Sequence, residues 1–414
     1  MHNSWLVILP PVLVLLLAFS THRVVLSLIL GIASASLIFN DFSIIPATKT
    51  FFIRLWETIE LGNFFSWQAF VGSSTLFLYL FLLFLGVIIA LMTHAGGTQA
   101  YARFVEKRLH NQKSAETSSV ILSSLFFVDE YLSILMVGSV MKPVTDRFLI
   151  PRAKLAFLVS AMAAPLCIIA PLSSWCAFIF IQLDRSGVIA TPSSETLIIS
   201  TPFQLFIKTI PFAFYSFIII ASVFFIIHKR ISYGAMHKHE QTAQKTKNLF
   251  GGKPERVKQS KNVLSENNAS LFSFLFPILT LVITVFVVLF FTNFVAPPAL
   301  FIGATCSLIV SIIFFLATKK LSFKQLPAIF WEGIEFTIPA LIIVTLALTF
   351  SEILKTDLLT GQFLASQLTG VLNLTLFPLI FFVATIITTL GIGSAWGAMS
   401  IMVPIAIPML VSIQ

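Results

Sequence analysis

The sequence predicts an all-α polytopic membrane protein made of two inverted repeats, each with a re-entrant stretch and a discontinuous transmembrane helix. Three observations carry this: the composition, two apolar segments too long to be single spans, and basic residues that alternate between loops. The 414 residues are 57% hydrophobic and 10% charged, against roughly 45–50% and about 25% in soluble domains. A mean hydropathy of +0.97 with 44 Phe and 5 Tyr requires an apolar sink as large as a bilayer, which excludes a soluble globular protein. The net charge of +9, from 26 basic and 17 acidic residues, is spread between apolar runs. It reports orientation in a membrane and implies no nucleic-acid partner. Cys167, Cys176 and Cys306 lie in apolar segments without a Cys-x-x-Cys spacing, so no disulfide framework or zinc site follows.

Apolar stretches of spanning length cover residues 5–20, 24–39, 73–92, 203–227, 271–291, 299–317 and 327–350, each able to cross a core of roughly 30 Å. The first has no basic segment ahead of it and reads as an uncleaved span. Residues 154–183 and 374–410 would be about 45 Å and about 55 Å as straight helices, so both must bend, break or turn back. Their breakers are Pro165 and Pro171 in the first, and Gly391 and Gly393 followed by Pro404 and Pro408 in the second.

Residues 228–268 hold nine Lys and Arg against Glu240, Glu255 and Glu266, which makes this segment cytoplasmic by the positive-inside rule. Its polar composition predicts a flexible linker with His237, Lys238 and His239 solvated. Counting spans from there puts residues 184–201 and the loop around Asp41, Glu57 and Glu60 outside, and the stretches 94–113 and 146–152 inside. The count closes only if residues 114–140 enter and leave on the cytoplasmic side, as a re-entrant hairpin turning at Asp129-Glu130. The domains are then a first repeat with a linking span (1–227), the basic linker (228–268) and a second, inverted repeat (269–414).

The overlong segments share a pattern. Ser173-Ser174-Trp175-Cys176-Ala177 and Ser394-Ala395-Trp396-Gly397-Ala398 agree at three of five positions, 221 residues apart. The charge count runs the first segment from inside to outside and the second from outside to inside. Such paired discontinuous helices suit secondary transport, because unwound backbone at mid-membrane supplies carbonyls and half-helix dipoles to an ion. Trp175 and Trp396 lie mid-span and are candidates for lining the site, whereas Trp5, Trp56, Trp67 and Trp331 sit near segment ends.

An intramembrane carboxylate costs at least about 2.5–3.5 kcal/mol, which singles out Asp129 and Glu130 as ion- and proton-binding candidates. None of the seven His residues is mid-span, so a proton carried through the protein needs a carboxylate, which desolvation biases toward the proton and a bound cation biases against it. The competing role for the pair is to cap the hairpin turn and pair with Lys142 or Arg147. Ser173, Ser174 and Ser394 stand at the breaks and offer hard oxygen ligands for an alkali cation, or they serve as helix-packing residues. Thr385, Thr388 and Thr389 fit either role. The chain has no phosphate-binding Gly loop, no His beside a nucleophile and no metal-spaced His/Cys set, so neither an enzyme, a cofactor nor a metal beyond a transported alkali cation is expected.

Ordered motifs carry a resemblance over most of the chain. Phe127-Val128-Asp129-Glu130-Tyr131, the run from Val137 through Lys142-Pro143 to Asp146, Arg152-Ala153-Lys154-Leu155-Ala156-Phe157, Ala163-Ala164-Pro165 and Ile169-Ala170-Pro171-Leu172-Ser173-Ser174-Trp175 resemble the NhaC family of sodium/proton antiporters. Ala95-Gly96-Gly97, Gly393-Ser394-Ala395-Trp396-Gly397 and the run from Ile401 to Pro408 also match. The resemblance implies a bacterial-type inner-membrane carrier, some relatives exchanging Na+ for H+ and others coupling ions to organic acids. Two departures stand out: Ser160 occupies the place of a family Asp before Ala-Ala-Pro, and the chain stops at Gln414, short of a later Gly-Asp-His segment. The leading expectation is Na+/H+ exchange by alternating access, with the lipid bilayer as surroundings and pairing of two copies left open. A Na+- or H+-coupled carrier of a small organic anion, and a shortened, non-transporting membrane homologue, are the alternatives.

Overall fold

The computed structural model describes residues 4–21, 23–106, 108–189, 198–254, 270–292, 295–368, 376–392 and 395–413. In chain order the helices are α1 (Leu9–Thr21), α2 (Val24–Phe39), α3 (Ile44–Ile59), α4 (Trp67–Gly72), α5 (Ser74–His94), α6 (Gly97–Glu106), α7 (Gln112–Leu125), α8 (Glu130–Arg147), α9 (Arg152–Ile169) and α10 (Ser174–Arg185). After a two-residue parallel strand pair, Val188–Ile189 with Ile198–Ile199, come α11 (Pro202–Thr209), α12 (Phe214–Lys229), α13 (Gly234–Thr246), α14 (Leu271–Phe291), α15 (Ala296–Ala317), α16 (Leu326–Glu352), α17 (Thr360–Leu368), α18 (Phe377–Ile392) and α19 (Ala395–Ile413). Among the described residues, six helical stretches are long and apolar enough to cross a membrane: Ser74–His94, Arg152–Ile169, Phe214–Thr246, Leu271–Phe291, Pro297–Ala317 and Phe323–Asp357. The chain is an all-α polytopic membrane protein.

The residues fall into two compact units, one of residues 1–80, 178–205 and 336–414 and the other of residues 81–177 and 206–335. In the first, α1 packs on α2 and α18, and α17 on α19, around buried Leu28, Ile32, Ala35 and Phe350. In the second, α9 is the hub, packed on α8 and, through Val120, Leu158, Met162, Val223 and Ile227, on α7 and α12. Lipid tails are as apolar as these side chains, so the gain is close packing and not removal from water. The second unit also brings helices together at glycines. A Cβ on Gly333 of α16 would stand 2.5 Å from the Val87 Cα of α5, and one on Gly303 of α15 would stand 3.1 Å from the Val285 Cα of α14. At these crossings only a hydrogen fits between the backbones.

The overlong segment 154–183 is two helices, α9 and α10, with the break at residues 170–173. Pro171 makes it: Ala170 is extended, with φ −93° and ψ 110°, as the residue before a proline prefers. Pro165 does not break the chain as expected; it lies inside α9, where neighbouring helices support the turn it weakens. The segment 114–140 forms the two arms α7 and α8 with a turn at residues 126–129. Three expectations need correction. Residues 203–227 are not one span, because Pro211 opens a short 3-10 turn, Ile210–Phe212, between α11 and α12. The loop around Glu57 is mostly helix, α3, whose apolar residues are placed to one side. The linker is not structureless over its first part: residues 234–246, rich in helix-forming Ala, Gln, Lys and Glu, fold as α13.

Candidate functional site

The site is built in the second unit, where the α7–α8 turn meets the break between α9 and α10. Three consecutive turn residues are held by the break. The Phe127 carbonyl accepts from the Cys167 thiol at 3.2 Å. The Val128 carbonyl accepts from the Ser174 N–H at 2.8 Å, and Asp129 Oδ2 accepts from the Ser174 hydroxyl at 2.6 Å. The last is in the range of a charge-assisted bond. Asp129 is 7% exposed and Ser174 fully buried, so the carboxylate is largely withdrawn from solvent. It lies beside the first residue of α10, where backbone N–H groups and the helix dipole favour negative charge.

Ser173 does different work from Ser174. Its hydroxyl donates to the Cys167 carbonyl at 2.6 Å and accepts from the Cys176 N–H at 3.2 Å, the geometry of an N-cap two to three residues ahead of the first helical donors. It fixes where α10 starts. Trp175 and Cys176 are buried next to it, and the Cys176 thiol donates to the Ala170 carbonyl at 3.1 Å. Glu130 is half-buried and opens the first turn of α8, where a carboxylate suits the helix dipole. Ser160 is exposed on α9, ten residues before the break. Among the described residues no group of three or more His, Cys, Asp or Glu could hold a metal ion.

Gly393 and Ser394, expected at a second break, lie outside the described residues. Gly391 is within α18 and Trp396 in the first turn of α19. The hydroxyls of Thr385, Thr388 and Thr389 bond to carbonyls four residues back, at 2.7–2.8 Å, the usual way a helix satisfies a threonine in apolar surroundings.

Two charge clusters were not singled out in the sequence. In the second unit, Lys154 Nζ lies 2.8 Å from Glu116 Oε1 and also pairs with Glu240, while Arg230 Nη1 reaches Glu116 Oε1 at 2.9 Å. In the first unit, Arg185 pairs with Glu60 at 3.3 Å and Glu352 at 3.7 Å, and Arg54 grips Asp357 with two donors, Nε at 2.9 Å among them. In the sequence Lys154 is only the first residue of the apolar run 154–183. The signal that could have found it is Glu116, an acid inside a segment assigned to the membrane.

An uncharacterized protein of Haemophilus influenzae is 29% identical to the chain over 424 residues, covering 97% of this chain and 77% of that one. No solved structure matches. The sequence model of the Na+/H+ antiporter family matches residues 187–414, a stretch that follows the Asp129–Ser174 contact in the chain. A match over more than half the length, in a polytopic helical membrane protein without enzyme motifs, means that the chain belongs to the Na+/H+ antiporter family.

Proposed function

We propose that this antiporter exchanges Na+ for H+ by alternating access and that Asp129 is the carboxylate that holds either ion. The observation that carries the reading is the 2.6 Å bond from the Ser174 hydroxyl to Asp129 Oδ2 inside a buried helix break. A Na+ ion seated there takes a carboxylate oxygen from Asp129 and, after rotation of its hydroxyl, a lone pair from Ser174, with carbonyls of the broken backbone as further hard ligands. A proton on Asp129 removes the charge the cation needs, so the two ions compete for one group. Ser173 holds the start of α10 in register, and Glu130 is the secondary acid. The segment that repeats the Ser-x-Trp pattern in the second half is the inverted counterpart, and the basic linker lies on the cytoplasmic side of the inner membrane.

The test is Na+-driven proton movement in liposomes holding the purified full chain. Asp129→Asn keeps shape and hydrogen-bonding capacity, so it is expected to fold and to lose exchange, while Glu130→Gln retains it. Exchange by Asp129→Asn at the unsubstituted rate would move the site elsewhere, with Glu130 the next candidate.

A further inference from the structure

The cytoplasmic linker is docked on the helix that ends at the Asp129 site. Lys154, in the first turn of α9, has a side chain only 3% exposed and shares itself between Glu116 of α7, 1% exposed, and Glu240 of α13, 15% exposed. Past α13 the chain folds back onto the same end of α9: the Arg152 N–H donates to the Leu249 carbonyl at 3.1 Å, and the Arg152 guanidinium lies 5.9 Å from the centre of the Phe250 ring. Asn248 holds that return in shape by accepting from the Phe250 and Gly252 N–H groups at 2.8 and 3.1 Å. At the other border of the linker, Arg230 is tied to Glu116 at 2.9 Å. A loose connector has no reason to bury an ion pair or to make a backbone hydrogen bond to a membrane helix.

We propose that residues 230–250 are an ionic latch on the Na+/H+ site, with Lys154 as the positioning residue and Glu240 as the releasable partner; this rests on reading Asp129–Ser174 as the ion site. From Lys154 to the break is fifteen residues of helix, about 22 Å, unbroken at Pro165, so a shift at the Lys154 end is carried along α9 to the break. Its far end holds the Asp129 turn through Cys167. While Glu240 is docked, the group Lys154, Arg230, Glu116 and Glu240 is neutral. Without Glu240 it carries a net positive charge centred on Lys154, 3% exposed, while Arg230 is 36% exposed and already meets water, which favours movement of the α9 end toward water. Release of the linker therefore frees the Asp129 turn from the helix break, and docking holds the closed arrangement, with Asp129 buried.

Native thiols report on this without transport. Cys167 and Cys176 are fully buried at the break, and Cys306 on α15 is half-buried and serves as internal reference. The full chain, purified in detergent, is treated with N-ethylmaleimide and each cysteine followed by mass spectrometry. Glu240→Gln is expected to raise the alkylation rates of Cys167 and Cys176 about tenfold relative to Cys306, a local opening made easier without global unfolding. Glu240→Asp, which keeps the charge, should return the rates toward those of the unsubstituted protein. Unchanged rates in Glu240→Gln would overturn the latch, and so would an equal rise at all three thiols, since that is general loosening. If Asp129→Asn still exchanges ions but Glu240→Gln speeds the two thiols, the latch stands and the ion site is reassigned.

Discussion

Lys154 and Arg185 stand at the start and end of the broken span α9–α10, and each gathers two carboxylates in its own unit. They do so in different surroundings. Lys154 and Glu116 have side chains 3% and 1% exposed, whereas Arg185, Glu60 and Glu352 are 19%, 23% and 27% exposed. The buried group has lost its water and depends on its partners; the part-exposed group keeps water as an alternative partner at pairing distances of 3.3 and 3.7 Å. The same number of ion pairs thus carries unequal weight, and burial sets the weight.

The contrast is broken or sharpened by removing each cation in turn. Lys154→Met leaves Glu240 without its ion partner and unbalances Glu116, and it is expected to cost about 3–5 kcal/mol, read as a large fall in melting temperature in detergent. Arg54→Met in the first unit strands Asp357, whose side chain is 3% exposed; the expected loss is about 1–3 kcal/mol, measured the same way. Arg185→Met should cost less than about 1 kcal/mol. Added NaCl should shrink the effect of Arg185→Met while leaving that of Lys154→Met in place, because screening reaches exposed pairs far more than buried ones. A loss at Arg185 as large as at Lys154 would end the comparison.

The smallest effect concerns Asp184, beside Arg185. Burial holds its carboxyl above the ordinary value of 3.8, with Arg185 and Lys355 partly offsetting this. Ionising it therefore opposes folding, and Asp184→Asn is expected to stabilise modestly at neutral pH. That gain should vanish as pH falls through the raised value to below 3.8, where the carboxyl is protonated in folded and unfolded chains alike. Melting curves of the two proteins across that range check the sign.

Apart from residues 203–227, the apolar helices were legible, as was the break, because they depend on local properties. Apolar run length marks a helix long enough for a bilayer, and Pro171 dictates an extended Ala170 wherever the chain is going. The turn at Asp129 was legible from charge bookkeeping, which left residues 114–140 with nowhere to cross. What could not be read is long-range. Lys154 meets Glu240 across 86 residues of sequence, and nothing in the polar stretch around His237 announces that one of its acids will be carried to the end of α9. Pro165 misled for a related reason: whether a proline ends a helix depends on the neighbours that support the weakened turn. The roles of Ser173 and Ser174, adjacent and identical, were separable only once their hydroxyls had partners.

The glycine crossing between α5 and α16 also bears on how this chain drifts over generations. At Gly333 every one of the other side chains begins with a carbon that would stand 2.5 Å from the Val87 Cα, so each missense change at that codon is expected to impair assembly, before any ion is carried. Val87 is under the weaker constraint, since its backbone and not its side chain fills the gap. The two positions should therefore diverge unequally among descendants, Gly333 held fixed while Val87 exchanges with other apolar residues.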